Sequence, residues 1–207
     1  VDEFGEENVY VSFSGGKDST VLLHIVRQMY PGIPAVFSDT GLEYPAIRQF
    51  IRNYENVTWV KPEVLFKDVV IKYGYPVIGK EVANYVWVVR HACEGPYKQG
   101  RLARLQGTSR RKDGQLSQYN RPQYEFLLNA PFEISDICGK EMKKKPRNKY
   151  SKKTDRHPIM ATMAEESRLR EGKWLKSGCN SFQSKNPDST PMAFWLEQDV
   201  LRYLYLY

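Results

Sequence analysis

The chain has 207 residues, 41% of them hydrophobic, and a net charge of +7. This length suits one domain with a sizeable core, so we expect residues 1–207 to form a single domain. The sequence lacks both an apolar run of 18 residues and an N-terminal apolar signal segment, which predicts a cytoplasmic protein with no membrane partner. Three cysteines without C-x-x-C spacing exclude a disulfide framework. The positive charge favours polyanionic ligands, whether nucleotides, sulfated nucleotides or nucleic acid.

A glycine-containing turn between a strand and a helix is the most informative local feature. Residues 9–13 alternate as in a buried strand, and apolar residues at helical spacing follow from about Asp18. A Ser-Gly-Gly turn at this junction directs backbone N–H groups to one point beside the positive end of the helix dipole, which predicts an anion site, most naturally for phosphate. Gly15 and Gly16 permit the tight turn, and the expected donors are Ser14, Lys17, Ser19 and Thr20. The alternative is an ordinary turn with Asp18 or Ser19 as the helix N-cap.

The elements that follow predict a parallel sheet. In chain order they are a helix that ends at residues 31–32, a strand at 35–38, a helix at 45–53 and a strand at 57–60. Strands joined by helical crossovers lie parallel, so we predict a three-layer, doubly wound α/β fold of about five mostly parallel strands, with the strand at 9–13 central. Asp39 and Thr40 follow the second strand, at the carboxyl edge where such sheets bind ligands.

The middle of the chain is more basic and less regular. Helices are predicted at residues 64–73 and 80–92. Residues 95–130 are predicted to form a helical insertion or lid. The alternative for this insertion is a solvated basic surface. Residues 143–153 are densely basic and predict a nucleic-acid patch, although few aromatic residues are interleaved for base stacking.

A second strand-to-helix corner is predicted near the end of the chain. Residues 158–162 have the pattern of a buried strand, and Glu165, Glu166 and Arg168 follow it in a polar corner. An aromatic-rich helix is predicted at residues 195–206. This corner should lie on the same sheet edge as the first loop, where Arg168 and Arg170 could hold a phosphate or sulfate. The alternative is that the two arginines pair with the neighbouring glutamates.

Four segments together resemble the phosphoadenosine phosphosulfate (PAPS) reductase family of the adenine-nucleotide α-hydrolase superfamily. They are SGGKDS at 14–19, SDTGLEYP at 38–45, TMAEESRLR at 162–170, and GCNSF with FWLEQDVL near the end. The resemblance implies an adenine nucleotide in a cleft, with Asp39 and Thr40 near the adenosine and Arg168 near a terminal phosphate or sulfate. The residues it implies at the phosphates are Ser14, Gly15, Gly16, Lys17, Asp18 and Ser19.

The resemblance further implies an enzyme of sulfur transfer or sulfonucleotide reduction that binds ATP or a PAPS-type nucleotide. The intact SGGKDS loop with Lys17 is closer to members that bind ATP and attack its α-phosphate. In that case Mg²⁺, held by Asp18 or Asp39, should assist Lys17 in stabilising the pyrophosphate leaving group. A sulfur-donor protein is an expected partner. The alternatives are an ATP pyrophosphatase subunit of a nucleic-acid thiolation system and a non-catalytic nucleotide- or nucleic-acid-binding module.

The sequence allows more than one role for its three cysteines. Cys93, Cys138 and Cys179 are distant in sequence, and the plainest interpretation is three ordinary buried thiols. The functional alternatives are a three-cysteine [4Fe-4S] site, as in similar adenylate-forming sulfur transferases, or a single reactive thiol. Cys138, before a lysine-rich segment, and Cys179, in a turn, are the better candidates for a reactive thiol.

Overall fold

The computed structural model describes residues 1–184 and 186–207. Contacts divide the chain into two compact units, the first formed by Val1–Pro62 with Lys145–Tyr207 and the second by Glu63–Lys144. The segment predicted as an insertion, residues 95–130, belongs to the second unit. Within the described part of the chain, none of the helices combines the length and apolar character needed to cross a membrane.

A four-stranded parallel sheet forms the centre of the first unit. Its strands, in the spatial order β3-β2-β1-β4, are β1 (Val9–Ser12), β2 (Ala35–Ser38), β3 (Val57–Val60) and β4 (His157–Ile159). All four coincide with predicted strands, and β1 is one of the two interior strands. The described residues hold four strands where about five were expected. Beyond β4 there is a single-residue parallel bridge, in which Ser189 pairs with Ile159.

Helices cover both faces of this sheet, which confirms the three-layer α/β prediction. Alternation along β1 places Val9 and Val11 in the core beside the apolar face of one helix, while Tyr10 projects to the other face, where its hydroxyl lies 3.0 Å from Ser151 Oγ. The helices of the first unit are α1 (Lys17–Met29), α2 (Pro45–Arg52), α7 (Lys145–Thr154), α8 (Arg168–Ser177) and α9 (Glu197–Leu206). Their apolar faces and the strands enclose a core that includes Phe13, Leu22, Phe37 and Ile51.

The second unit is helical. Its elements are α3 (Phe66–Tyr73), α4 (Lys80–His91), α5 (Pro96–Leu105), a 3₁₀ helix (Pro122–Asn129), α6 (Ile137–Gly139) and a π-helical turn (Lys140–Lys144). A separate core lies between α4, α5 and the 3₁₀ helix, and includes Tyr85, Val86, Leu105 and Leu127. The guanidinium of Arg90 donates to the carbonyls of Leu127, Leu128, Ala130 and Phe132 at 2.7–3.1 Å. One side chain thus supplies hydrogen-bond donors to the carbonyl groups at and after the end of the 3₁₀ helix.

Candidate nucleotide site

The predicted phosphate loop connects β1 to α1. Gly15 has φ +74°, and a Cβ there would lie 2.9 Å from Ile47 Cγ2 and 3.0 Å from Ile51 Cδ1. Only glycine fits this combination of left-handed backbone and close packing. Gly16 has an extended backbone and is the N-cap of α1, which begins at Lys17 rather than Asp18.

Serine hydroxyls fix the shape of the loop from within. Ser19 Oγ donates to the Gly16 carbonyl at 3.0 Å, accepts from the Ser14 backbone N–H at 3.1 Å, and lies 3.0 Å from Ser14 Oγ. Thr20 Oγ1 donates to the same carbonyl at 3.0 Å. The hydroxyl protons of Ser19 and Thr20 therefore hold the loop in this structure, and Ser14 is the exposed hydroxyl of the set.

The first turn of α1 offers free backbone donors. No side chain caps this helix, so the sequence alternative of an Asp18 or Ser19 N-cap does not occur. A helix leaves its first N–H groups without intrahelical acceptors, and the amides of Lys17, Asp18 and Ser19 occupy these positions. Together with the positive end of the helix dipole they form a site suited to a phosphate group.

Lys17 is held by two carboxylates. Its ammonium lies 3.0 Å from Asp18 Oδ1 and 3.2 Å from Glu197 Oε1, the latter on the first residue of α9. The hydrogen bond to Asp18, and after it that to Glu197, raises the pKa of Lys17 above its ordinary value. Lys17 is therefore a cation at neutral pH, and two of its three N–H donors are directed to carboxylates.

A cavity of about 440 Å³ opens beside Lys17. Its size falls in the range of small-molecule sites. Glu165 and Glu166, from the corner after β4, and Glu197 give it an acidic wall. The residues that line it are Lys17, Asp18, Met163, Glu165, Glu166, Leu196, Glu197 and Gln198. The first loop and the second corner thus lie on one edge of the sheet, as the sequence predicted.

Asp39 and Thr40 follow β2 and are buried. Asp39 Oδ2 accepts from Arg48 Nη2 at 2.9 Å, and Oδ1 accepts from the Gly41 N–H at 3.2 Å. Thr40 Oγ1 donates to Glu43 at 2.7 Å. These predicted nucleotide contacts are therefore bonded to residues of the following turn and of α2, and both Asp39 oxygens already have donors. The pairing with Arg48 had no local signal in the sequence.

The two arginines of the corner behave differently. Arg170 forms an ion pair with Glu166, which is the alternative that the sequence left open. Arg168 is the exposed first residue of α8, and Ser167 is the N-cap of that helix. Arg168 forms no ion pair within residues 1–184 and 186–207, and it does not line the cavity beside Lys17. Its role at a phosphate or sulfate stays a prediction.

The three cysteines are free thiols. Cys93 and Cys138 belong to the second unit and Cys179 to the first. Cys179 lines a cavity of about 480 Å³ with Val9 and His157, the first residues of β1 and β4, whereas the phosphate loop follows the carboxyl end of β1. Among the residues that the structure describes, no three His, Cys, Asp or Glu side chains are grouped as a metal site. An iron-sulfur site at these cysteines stays a prediction from the sequence.

Comparison with known proteins identifies the family. The family model for the phosphoadenosine phosphosulfate reductase domain matches residues 8–206. No curated protein matches the sequence. The fold is similar to that of a crystal structure of PAPS reductase from Candida auris in complex with phosphate, with a TM-score of 0.50 and 13% identity over 96% of this chain and 72% of that chain. With nearly its whole length matched by the family model, this chain belongs to the phosphoadenosine phosphosulfate reductase family.

Proposed function

We propose that this chain is an enzyme that binds an adenine nucleotide, either ATP or a PAPS-type sulfated nucleotide, through residues 14–19 and acts in sulfur transfer or sulfonucleotide reduction. The observation that carries this proposal is the uncapped start of α1 directly after Gly15 and Gly16. Its first two residues, Lys17 and Asp18, line a cavity of about 440 Å³, and the chain belongs to a family named for sulfonucleotide reduction.

With ATP as substrate, the loop amides and Lys17 stabilise charge on the pyrophosphate as it leaves the α-phosphorus. Lys17 turns from Glu197 to a phosphate oxygen and keeps its contact with Asp18, which is the larger cause of its raised pKa. Mg²⁺ commonly takes only one or two carboxylates and completes its shell with phosphate oxygens and water. Asp18, adjacent to Lys17 in the loop, fits this role, and bound Mg²⁺ would supply further charge neutralisation.

With PAPS as substrate, the reaction releases sulfite and adenosine 3′,5′-bisphosphate, and two thiols are oxidised to a disulfide. Cys179 lines a cavity at the amino ends of the strands, so it is not the thiol beside the loop. We therefore assign the two thiols to a partner dithiol protein. A sulfur-donor protein plays the corresponding part in the ATP reaction.

Product identity is the test. AMP with pyrophosphate from ATP supports the ATP branch, and sulfite from PAPS with a dithiol supports the reductase branch. Nucleotide binding without either product, in the presence of a dithiol protein and Mg²⁺, would instead indicate a non-catalytic nucleotide-binding module.

A second candidate is an ATP pyrophosphatase subunit of a nucleic-acid thiolation system, or a module that binds nucleic acid without turnover. The observation in its favour is α7, which carries five basic side chains and no acidic one: Lys145, Arg147, Lys149, Lys152 and Lys153. Phosphate backbones attract such a surface, and the resulting affinity falls steeply with salt. Retention of duplex DNA or RNA at low salt, lost on raising the salt concentration, would support it.

A further inference from the structure

Arg147 lies on the opposite face of the sheet from α1 and lacks an acidic partner. Its Nη1 donates to the thioether of Met160 at 3.3 Å, and a thioether is a weak acceptor. No carboxylate lies within ion-pair distance of Arg147 in the described residues, and its side chain is half-buried. A half-buried guanidinium with no carboxylate beside it keeps N–H donors for water or for an anionic ligand.

The sheet register places this guanidinium close to the phosphate loop. β1 and β4 are parallel neighbours in which Val11 pairs with Ile159, so Met160 lies beside Ser12 at the carboxyl edge. Neighbouring strands are about 4.8 Å apart. Ser12 precedes Ser14, the first residue of the loop, by two positions. Arg147 therefore projects to the sheet edge at which the loop begins, two strand positions from the start of the candidate nucleotide site.

The surroundings of Arg147 favour an anionic ligand over a neutral one. Tyr10 shares this face, and its buried hydroxyl is already bonded to Ser151. Alternation along the strands directs Ser12 and Ser38 to the same face, and both are half-exposed although they end interior strands. The sheet face therefore has accessible hydroxyls and a guanidinium at its carboxyl edge, while the other charged side chains of α7 are all basic.

We propose that Arg147 binds a second anionic group of the adenine nucleotide whose first phosphate occupies the loop at residues 14–19. This inference rests on the proposed nucleotide-binding function. The ligand chemistry is a phosphate or sulfate ester, bound by the planar guanidinium through paired N–H donors. Arg147 would act in addition to Arg168, whose predicted role at a phosphate or sulfate is a separate assignment.

Calorimetric titration of AMP, adenosine 3′,5′-bisphosphate and ATP into the full chain tests this assignment. We expect Arg147→Gln to weaken binding of at least one of the two multiply charged nucleotides by about 10- to 100-fold and to leave AMP binding unchanged. A loss confined to the bisphosphate assigns the 3′-phosphate to Arg147, and a loss confined to ATP assigns its terminal phosphates. Unchanged affinity for both, or an equal loss for AMP, overturns the inference.

Two control variants and the wild-type protein separate the possible causes of a changed affinity. Lys152→Gln removes one exposed charge from the same helix and should change none of the affinities. Met160→Leu removes the thioether and should also bind normally, whereas a loss as large as that of Arg147→Gln would show that the arginine acts only through Met160 and overturn its role as a ligand. If the wild-type protein binds none of the three nucleotides, the proposed function itself is contradicted. This result differs from one in which the wild type binds and the inference about Arg147 fails.

Discussion

The Lys17 ammonium lies 3.2 Å from the Glu197 carboxylate, so the phosphate loop is tied to the first residue of the C-terminal helix α9. Glu197 occupies a position at which a phosphate oxygen would also meet Lys17. If a nucleotide binds as proposed, the carboxylate and the nucleotide compete for one cation. Glu197 is then a determinant of nucleotide affinity, a role for which the sequence offers no local signal.

Glu197→Gln should raise the affinity for a nucleotide in the absence of metal. The pair is partly exposed, and such pairs are worth about 0.2–1 kcal/mol, which corresponds to an increase of up to about fivefold. Calorimetry in the presence of a chelator measures it, with Gln198→Ala, an uncharged change in the wall of the same cavity, as the control. An affinity that stays constant or falls would show that Glu197 does not compete with the ligand.

Lys17→Ala should reduce turnover more than binding. Charge grows on the pyrophosphate as it leaves, so the ammonium stabilises the transition state more than the ground state. Removal of one such electrostatic donor reduces kcat by about 10²- to 10³-fold. Steady-state kinetics and nucleotide titration on the same sample separate the two effects, and Lys17→Arg, which keeps the charge, should recover part of the rate. Full turnover by a folded Lys17→Ala protein would remove Lys17 from the catalytic residues.

Gly15 and Gly16 form a matched pair. Alanine at Gly15 combines a left-handed φ with contacts of 2.9–3.0 Å to Ile47 and Ile51, and should cost about 1–3 kcal/mol and distort the loop. Alanine at Gly16 meets only Ser14 Oγ, at 3.4 Å, from an ordinary backbone conformation. Thermal unfolding and nucleotide titration should therefore show a clear loss for Gly15→Ala and a small one for Gly16→Ala. Equal losses would mean that the close packing at Gly15 is not what the loop requires.

Arg90→Ala should destabilise the second unit. The change leaves three buried or half-buried carbonyls, those of Leu127, Leu128 and Ala130, and the exposed carbonyl of Phe132 without their charged donor. A loss of about 2–4 kcal/mol follows from the value of hydrogen bonds to charged groups. Arg110→Ala, which removes one exposed bond to the Gly114 carbonyl, is the control. Hydrogen exchange at residues 122–135 reports on this unit directly. Protection equal to that of the wild type would show that water replaces the guanidinium at no cost.

Local pattern was sufficient to predict the four strands and the glycine turn between β1 and α1. Alternation and helical spacing predicted β1, β2, β3 and β4, because each is a short apolar segment between turn residues. The anion site followed from residue types within one turn. Element ends moved by a few residues, since the sequence places the last strand at 158–162 while β4 ends at Ile159 and the backbone then turns into the corner.

The partners of the site residues could not be predicted in the same way. Asp39 pairs with Arg48, Lys17 with Glu197 and Arg147 with Met160. The contact of Asp39 joins the end of β2 to the next helix, and the other two join elements farther apart in the chain, so no spacing rule relates the residues of any pair. The sequence identified Asp39 from its place at the carboxyl edge of the sheet and from the family resemblance, but its burial and its two donors could not be predicted.

The bridge between Ser189 and Ile159 covers the outer edge of the sheet at β4. The Ser189 N–H donates to the Pro158 carbonyl at 3.1 Å, and its carbonyl accepts from the Met160 N–H at 2.8 Å, while Pro158 has no N–H of its own. The outer side of β4 thus offers an incoming strand almost no unpaired backbone group. Exposed strand edges are the usual starting point for aggregation by β-pairing, and proline with a covering segment is a known protection. The first unit is therefore protected on this side against polymerisation through its sheet.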